Sequence, residues 1–262
     1  MRILVACEES QAITKELRKL GHDAYSCDLL PCSGGRPEWH FQEDVFKIIE
    51  NHGGVLQNGK ENLSDLQWEM MIAHPPCTFL AVSGARWYYN PEDKDMPFKN
   101  RRPHPRFPNR AHDRDEALEF FIKLCEAPIE KIAVENPVGI VSSKYKKPTQ
   151  TVHPWMFGDE ASKATCLWLK NLPKLEPTKI VGKGERVILS SGKSLPKWYS
   201  DALTKAKSPA ERRTTSNLSF TSSTAATGAA AAIVAETPHF CSNFLLNSAN
   251  SRTVRDDNVS DI

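Results

Sequence analysis

Residues 68–77 read Trp68-Glu69-Met70-Met71-Ile72-Ala73-His74-Pro75-Pro76-Cys77. From Trp68 to Ala73 the apolar character is nearly continuous, as a strand buried on both faces of a parallel sheet requires. Proline has no amide hydrogen to give to a ladder, so the strand must halt near Pro75 and leave Cys77 just past its carboxyl end. A second unit of the same form follows: Lys131 to Val134 reads as a strand and runs into Glu135-Asn136-Pro137. Upstream, Ile3-Leu4-Val5-Ala6 reads as a short strand, Ser10 as a helix cap, and Ile13, Leu17 and Leu20 recur at helical spacing until Gly21. Ala24 to Cys27 is another strand, stopping at Asp28. Strand, helix and strand over residues 2–28 make a parallel unit, and open sheets built from such units bind ligands beyond the carboxyl ends of their strands. The expected fold class is α/β, a mostly parallel sheet with helices on both faces.

The remaining segments are less regular. Pro31 to Pro37 is a Pro-, Gly- and Ser-rich loop, Asp44 to Ile49 a short helix, and Asn51 to Asn62 a polar linker. Asn90 to Arg114 carries many prolines and the bases Lys94, Lys99, Arg101, Arg102, Arg106 and Arg110, which predicts a surface loop. Leu118, Phe121, Ile122 and Cys125 fall at helical spacing, Pro154 to Trp168 mixes aromatics with Lys163, Thr165 and Cys166, and Lys197 to Lys205 is a last short helix. From Thr214 the composition shifts to Ser, Thr, Ala and Asn, with an alanine tract at Ala229 to Ala232. The expected organisation is one catalytic domain, residues 1–213, and a disordered tail, residues 214–262.

At 262 residues and 40% apolar content the chain can bury the core of one α/β domain, and its net charge of +2 gives no global attraction to nucleic acid. Any such attraction must come from local clusters. The seven cysteines show no repeated spacing, and Glu8 and Glu9 interrupt the early apolar run, so a reduced, cytoplasmic protein without a membrane span is expected. Cys27 and Cys32 lack the paired spacing of a zinc site, and no obligate protein partner is evident.

Three strands ending in Asp28, Cys77 and Glu135 share one crevice in such a sheet. A thiolate that adds to carbon 6 of a pyrimidine, with a carboxyl group bonded to ring nitrogen 3, makes carbon 5 nucleophilic. A helix N-terminus just after Cys77 would favour that thiolate. Each residue also has a plainer reading: Cys77 as a buried structural thiol, Glu135 as a helix cap or ion-pair partner, Asp28 as a turn residue, the basic loop as solvated surface.

Order and context favour the chemical reading, because the chain resembles the cytosine-5 DNA methyltransferase family, in particular its short phage-type members. Pro75-Pro76-Cys77 resembles the family's nucleophile motif, and Glu135-Asn136-Pro137 its Glu-Asn-Val/Pro motif; the likeness covers about residues 1–200. By that resemblance the fold is the class I, Rossmann-like methyltransferase fold, Cys77 is the nucleophile and Glu135 engages the base. The cofactor is S-adenosylmethionine, held by Ala6, Cys7, Glu8, Asp28, Leu29, Asp44, Val45 and Pro75. The DNA substrate meets Pro76, Asn136, Lys163 and Thr165, while Arg101, Arg102, Arg106 and Arg110 grip phosphates. The chain departs from the family in its first loop, Ala6-Cys7-Glu8-Glu9-Ser10, which has no glycine, and it lacks the Gln-x-Arg-x-Arg segment.

The expected reaction is methyl transfer to carbon 5 of cytosine in a flipped-out base. Two alternatives stay open: an amino-group DNA methyltransferase, which His74 and Cys77 disfavour, and an inactive nucleic-acid-binding protein of the same fold. The tail composition offers too little apolar surface to offset the entropy of ordering it. Limited proteolysis is expected to cut first between Arg213 and Thr237 and to leave a core with an unchanged melting temperature; a core that melts several degrees lower would make the tail part of the domain.

Overall fold

Ile3, Leu4, Val5 and Ala6 are all completely buried, and they divide by parity. Ile3 and Val5 pack with Ile13, Leu17, Met70, Ile72 and Ala133; Leu4 and Ala6 pack with Phe41, Ile48, Met71, Phe121, Leu124 and Val134. Because successive side chains of a strand point to opposite faces, these two clusters are the two sides of one covered sheet.

The structure is a computed structural model and describes residues 1–205. The expected boundary at residue 213 and the tail beyond it lie outside the described residues. In chain order the elements are β1 (Arg2–Ala6), α1 (Ala12–Lys19), β2 (Asp23–Asp28), β3 (His40–Gln42), α2 (Val45–Glu50), β4 (Gly54–Val55), β5 (Asn62–Leu63), β6 (Met70–Ala73), α3 (Arg110–Cys125), β7 (Lys131–Pro137), α4 (Val141–Lys144), β8 (Gln150–Val152), β9 (Thr165–Lys170), β10 (Arg186–Ile188), β11 (Ser194–Pro196) and α5 (Lys197–Lys205). Seven strands form the main sheet in the order β3-β2-β1-β6-β7-β9-β8. Neighbours from β3 to β7 are parallel, and β9 runs antiparallel to both β7 and β8. Helix α1 covers one face through Ile13 and Leu17; α2 and α3 cover the other through Ile48, Phe121 and Leu124. This is a Rossmann-like α/β fold, and its strand order reverses between β1 and β6, where the crevice opens.

Several sequence expectations are corrected. Ser10 does not cap α1: Gln11 holds the cap position in the left-handed region (φ 56°) with no side-chain cap bond. The cap is instead the Glu8 carboxylate, which accepts from the Ile13 amide at 2.6 Å, the Thr14 amide at 3.3 Å and the Thr14 hydroxyl at 2.7 Å. The polar stretch 51–62 is no simple linker, since β4 and β5 pair within and beside it and Leu56 is buried. The basic segment ends earlier than expected, because α3 begins at Arg110. β9 forms where the sequence pattern over Pro154 to Trp168 shows only mixed aromatics, and β3 and β8, three residues each, carry no local pattern. Among the described residues no helix is long and apolar enough to cross a membrane.

Phe121 ties the α3 face to the antiparallel edge: it is fully buried, and its ring meets that of Trp168 edge-on at 4.9 Å. Phe121→Ala is expected to cost about 3–5 kcal/mol, lowering the denaturant midpoint without changing the slope of the transition. A loss under about 1 kcal/mol would mean that α3 is not part of the cooperative core.

Candidate active site

Register places the first two groups. Ala73, the last residue of β6, pairs with Val134 of β7, so His74 and Glu135 follow side by side. His74 Nδ1 lies 3.0 Å from Glu135 Oε2, and the Glu135 side chain is only 4% exposed. Glu135 does not stand on a free strand tip as the sequence suggested: β7 continues to Pro137, with Glu135 opposite Leu167, Asn136 opposite Cys166 and Pro137 opposite Thr165 of β9. The carboxylate is thus braced by β9 on one side and open on the other, where β6 has ended. Asn136 is buried and its amide donates to the Pro75 carbonyl at 3.1 Å, which pins the segment leading to Cys77 against β7.

Three buried polar atoms here have no partner among the described residues: His74 Nε2, Asn136 Oδ1 and Thr165 Oγ1. Buried polar atoms are normally bonded, and an unsatisfied set of this kind suits a polar ligand.

Cys77 is exposed as a residue, yet its thiol is pushed up from the ordinary value, first by desolvation and then by the Glu135 charge; Lys163 opposes both. Lys163 in turn is pushed down to about 8 by burial, against the pull of Glu135 and Cys77. Thiol, carboxylate and amine therefore share one electrostatic environment. The expected helix N-terminus after Cys77 is absent: the amides of Leu80 and Ala81 both donate to the Cys77 carbonyl, at 3.0 and 2.9 Å, and a 3-10 turn from Val82 to Trp87 follows. With no helix dipole behind it, the cation Lys163 is the side chain that favours the thiolate.

The loops that follow the two motifs are stitched together. The Val82 amide donates to Val138 at 3.0 Å and the Ile140 amide to Leu80 at 2.9 Å. Gly139 lies so close that a Cβ there would meet the Leu80 carbonyl oxygen at 1.9 Å, so any side chain would force the Cys77 loop away from β7.

The arginines expected to grip phosphates are not equivalent. Arg110 is buried on α3, donates to the Thr78 carbonyl at 2.8 Å, and lies 5.0 Å from the Phe79 ring and 5.2 Å from the Tyr88 ring. It is a clamp on the Cys77 loop, not part of a surface loop. Arg102 is bound to Asp93, its Nη2 2.7 Å from Oδ1, and to Glu92. Arg101 donates to the carbonyls of Met96 and Lys94 and lies over Phe98 at 4.2 Å. Arg106 lies over Phe107 at 5.4 Å.

A second group gathers at the tips of β1 and β2. The Cys7 thiol is pushed up by burial and then by the charges of Asp28 and Asp44, which places the three together. Cys7 takes a left-handed conformation (φ 59°) that glycine ordinarily supplies. Asp28 accepts from the Leu30 amide at 2.9 Å, and burial pushes its carboxyl up. Asp44 caps α2 through the Phe46 amide at 2.8 Å. Ala6, Val45 and Pro75 are buried, whereas Leu29 is 72% exposed. For S-adenosylmethionine this corner fits in part: Asp28 suits ribose hydroxyls and exposed Leu29 an adenine face. It departs at α1, whose first free amides already bond Glu8 and are not offered to a ligand.

No family model matches the chain, and no curated protein matches it. Among solved structures, it is similar to a candidate DNA modification methyltransferase encoded within an E. coli prophage, with 14% identity and a TM-score of 0.41 over 70% of this chain and 52% of that one. The chain thus spans about half the length of that structure.

The charges around Cys77 fix the sign of a labelling experiment. At neutral pH iodoacetamide is expected to modify Cys77 more slowly than an unperturbed thiol, because burial and Glu135 hold it protonated. Glu135→Gln should speed the reaction several-fold and Lys163→Met should slow it, as read by peptide mass mapping. Equal rates in all three proteins would mean that these side chains do not share a site.

Proposed function

We propose that this chain is a DNA cytosine-5 methyltransferase that works through a covalent adduct at Cys77. The observation that carries the reading is the step between two adjacent parallel strands, where the buried Glu135 carboxyl meets His74 at 3.0 Å and Asn136 holds the Pro75-Pro76-Cys77 segment through the Pro75 carbonyl at 3.1 Å. A nucleophile, a group for the pyrimidine ring and a cation for the thiolate are the set that addition at carbon 6 demands. S-adenosylmethionine, when bound, supplies the electrophilic methyl group.

Each side chain then has a defined task. Lys163 lowers the cost of the Cys77 thiolate, whose sulfur bonds carbon 6 of the flipped base. Glu135, oriented by His74 and carrying a proton, donates a hydrogen bond to ring nitrogen 3, which makes carbon 6 electrophilic, and addition of the sulfur there leaves carbon 5 enamine-like. After carbon 5 has gained the methyl group, a solvent water takes its proton, the carbon 5–carbon 6 double bond re-forms, and the sulfur leaves as the Cys77 thiolate. Asn136 keeps the Pro75-Pro76-Cys77 segment at its distance from Glu135 through the Pro75 carbonyl. Thr165, beside Pro137 with its hydroxyl unpartnered, adds a polar contact for the base. Asp28 and Leu29, with Asp44, Val45 and the Ala6-Cys7-Glu8 turn, are the residues that would hold the cofactor.

A second reading, a nucleic-acid-binding protein that transfers nothing, is favoured by one feature: the Glu8 carboxylate fills the α1 cap from within. Calorimetry separates the two. Micromolar binding of S-adenosylmethionine, weakened in Asp28→Ala, supports the enzyme, and no binding at millimolar cofactor supports the binding protein.

The covalent step has its own test. DNA containing 5-fluorocytosine is expected to form a stable adduct with the parent protein and none with Cys77→Ser, while Glu135→Gln should lose at least about a hundredfold in methyl transfer. An adduct that persists in the serine variant would refute Cys77 as the nucleophile.

A further inference from the structure

Beyond the rim of this site lies a cavity of about 920 Å³. Its wall begins at Phe79, two residues past Cys77, and includes Val138, three past Glu135. Trp87, Tyr88, Tyr89 and Phe98 give it aromatic surface, and Arg86, Lys94, Arg101 and Arg114 line it with positive charge; no aspartate or glutamate lines it. Of the segments that build it, residues 90–114 were expected to be a basic surface loop whose arginines grip phosphates.

We propose that this cavity is a stacking site for an unpaired nucleobase of single-stranded DNA next to the target, with the lining cations on its phosphates. The inference rests on the proposed function only for the position of the target base at Cys77.

Three observations carry it. The cavity keeps large apolar groups in water: Phe98 is 69% exposed, Val82 66% and Val138 46%. Exposed apolar surface of this kind, clustered in one place, marks a binding site. Aromatic and cationic groups also alternate in space. Arg101 lies 4.2 Å from the Phe98 ring centre and 5.9 Å from that of Tyr89, Arg86 4.6 Å from Trp87, and Arg114 5.2 Å from Tyr88. Planar faces beside guanidinium groups are what base stacking along a charged backbone uses, and they accept any base.

The third observation is rigidity. The Tyr88 hydroxyl donates to the Phe79 carbonyl, Arg110 holds Thr78, and the Val82 and Ile140 amides join the wall to the loop after Glu135. A base held in the cavity is therefore held at a set distance from Cys77. Duplex DNA keeps its bases stacked internally, so the site selects a strand already opened around the target.

The test is titration of a fluorescein-labelled single strand, in the Cys77→Ser protein so that no chemistry intervenes. An abasic strand of equal length and charge is the comparison, and it needs no change to the cavity. The normal strand is expected to bind about tenfold tighter than the abasic one. Phe98→Ala, a change at an exposed residue, should remove most of that difference while leaving the salt dependence unchanged, because no phosphate contact is lost. Tyr89→Leu should act in the same direction. Equal binding of the two strands, or a difference that survives both variants, would overturn the proposal, as would tighter binding of a closed duplex. Equal stacking of RNA would overturn its restriction to DNA. Base-dependent binding by a parent protein that forms no 5-fluorocytosine adduct would keep this site and remove the methyltransferase reading; an adduct with no base-dependent binding would do the reverse.

Discussion

The pairing of Ala73 with Val134 sets the rest of the molecule's chemistry. Parallel strands that stay in register up to that pair, with one strand then stopped by proline and the other continued, create a step in the sheet edge. On the step the His74 ring meets the Glu135 carboxylate from the vacated side, and Asn136 can reach back to the Pro75 carbonyl. A slip of one residue would turn Glu135 to the opposite face, among Cys166, Phe121 and Trp168, where an ionised carboxylate has no partner. The apolar burial on both faces of β6 and β7 thus enforces the register, and the register aligns the site.

The parts of the fold legible in the sequence were those whose pattern is set by burial. β1, β6 and β7 are apolar runs because both faces are covered, and α1 and α3 repeat Ile13 and Leu17, or Phe121 and Cys125, because one face is. The parts that were not legible depend on contacts distant in sequence. β3 is three residues long and is held partly by the buried His40, whose ring meets Ser26 on β2 at 2.8 Å; no local pattern encodes that. The hairpin of β4 and β5 is polar in composition, and its inward anchors are the isolated Leu56 and Leu63. Arg110 looked like one base among six, although it is the one that α3 carries inward against Thr78 and three aromatic rings.

For the site, the sequence named Cys77 and Glu135, since a strand followed by proline has few uses for a thiol or an acid. It did not name His74, whose role follows from a neighbour 61 residues away. Its position immediately after an apolar strand was the available signal. Nor could the sequence assign Glu8 to the cap of α1. A loop without glycine was expected to hinder close approach, yet Cys7 and Gln11 both adopt left-handed backbone without it. Glu8, bonded to two amides and a hydroxyl, is the compensating interaction: a hydrogen-bonded cap at the helix N-terminus offsets conformations that cost side-chain-bearing residues roughly 1–2 kcal/mol each.

The electrostatics of the step also explain why a thiol can be kept there without reacting. Desolvation and the Glu135 charge hold Cys77 protonated, and Lys163 alone among the causes is a cation that opposes them. In the proposed reaction ring nitrogen 3 of a neutral cytosine is an acceptor, so Glu135 must carry a proton to bond it, and the negative charge facing the sulfur is then removed. Under that reaction Lys163 is opposed by desolvation alone once a base is bound, and the thiolate costs less than in the empty site. In the proposed reaction base binding and thiol activation are thereby one event.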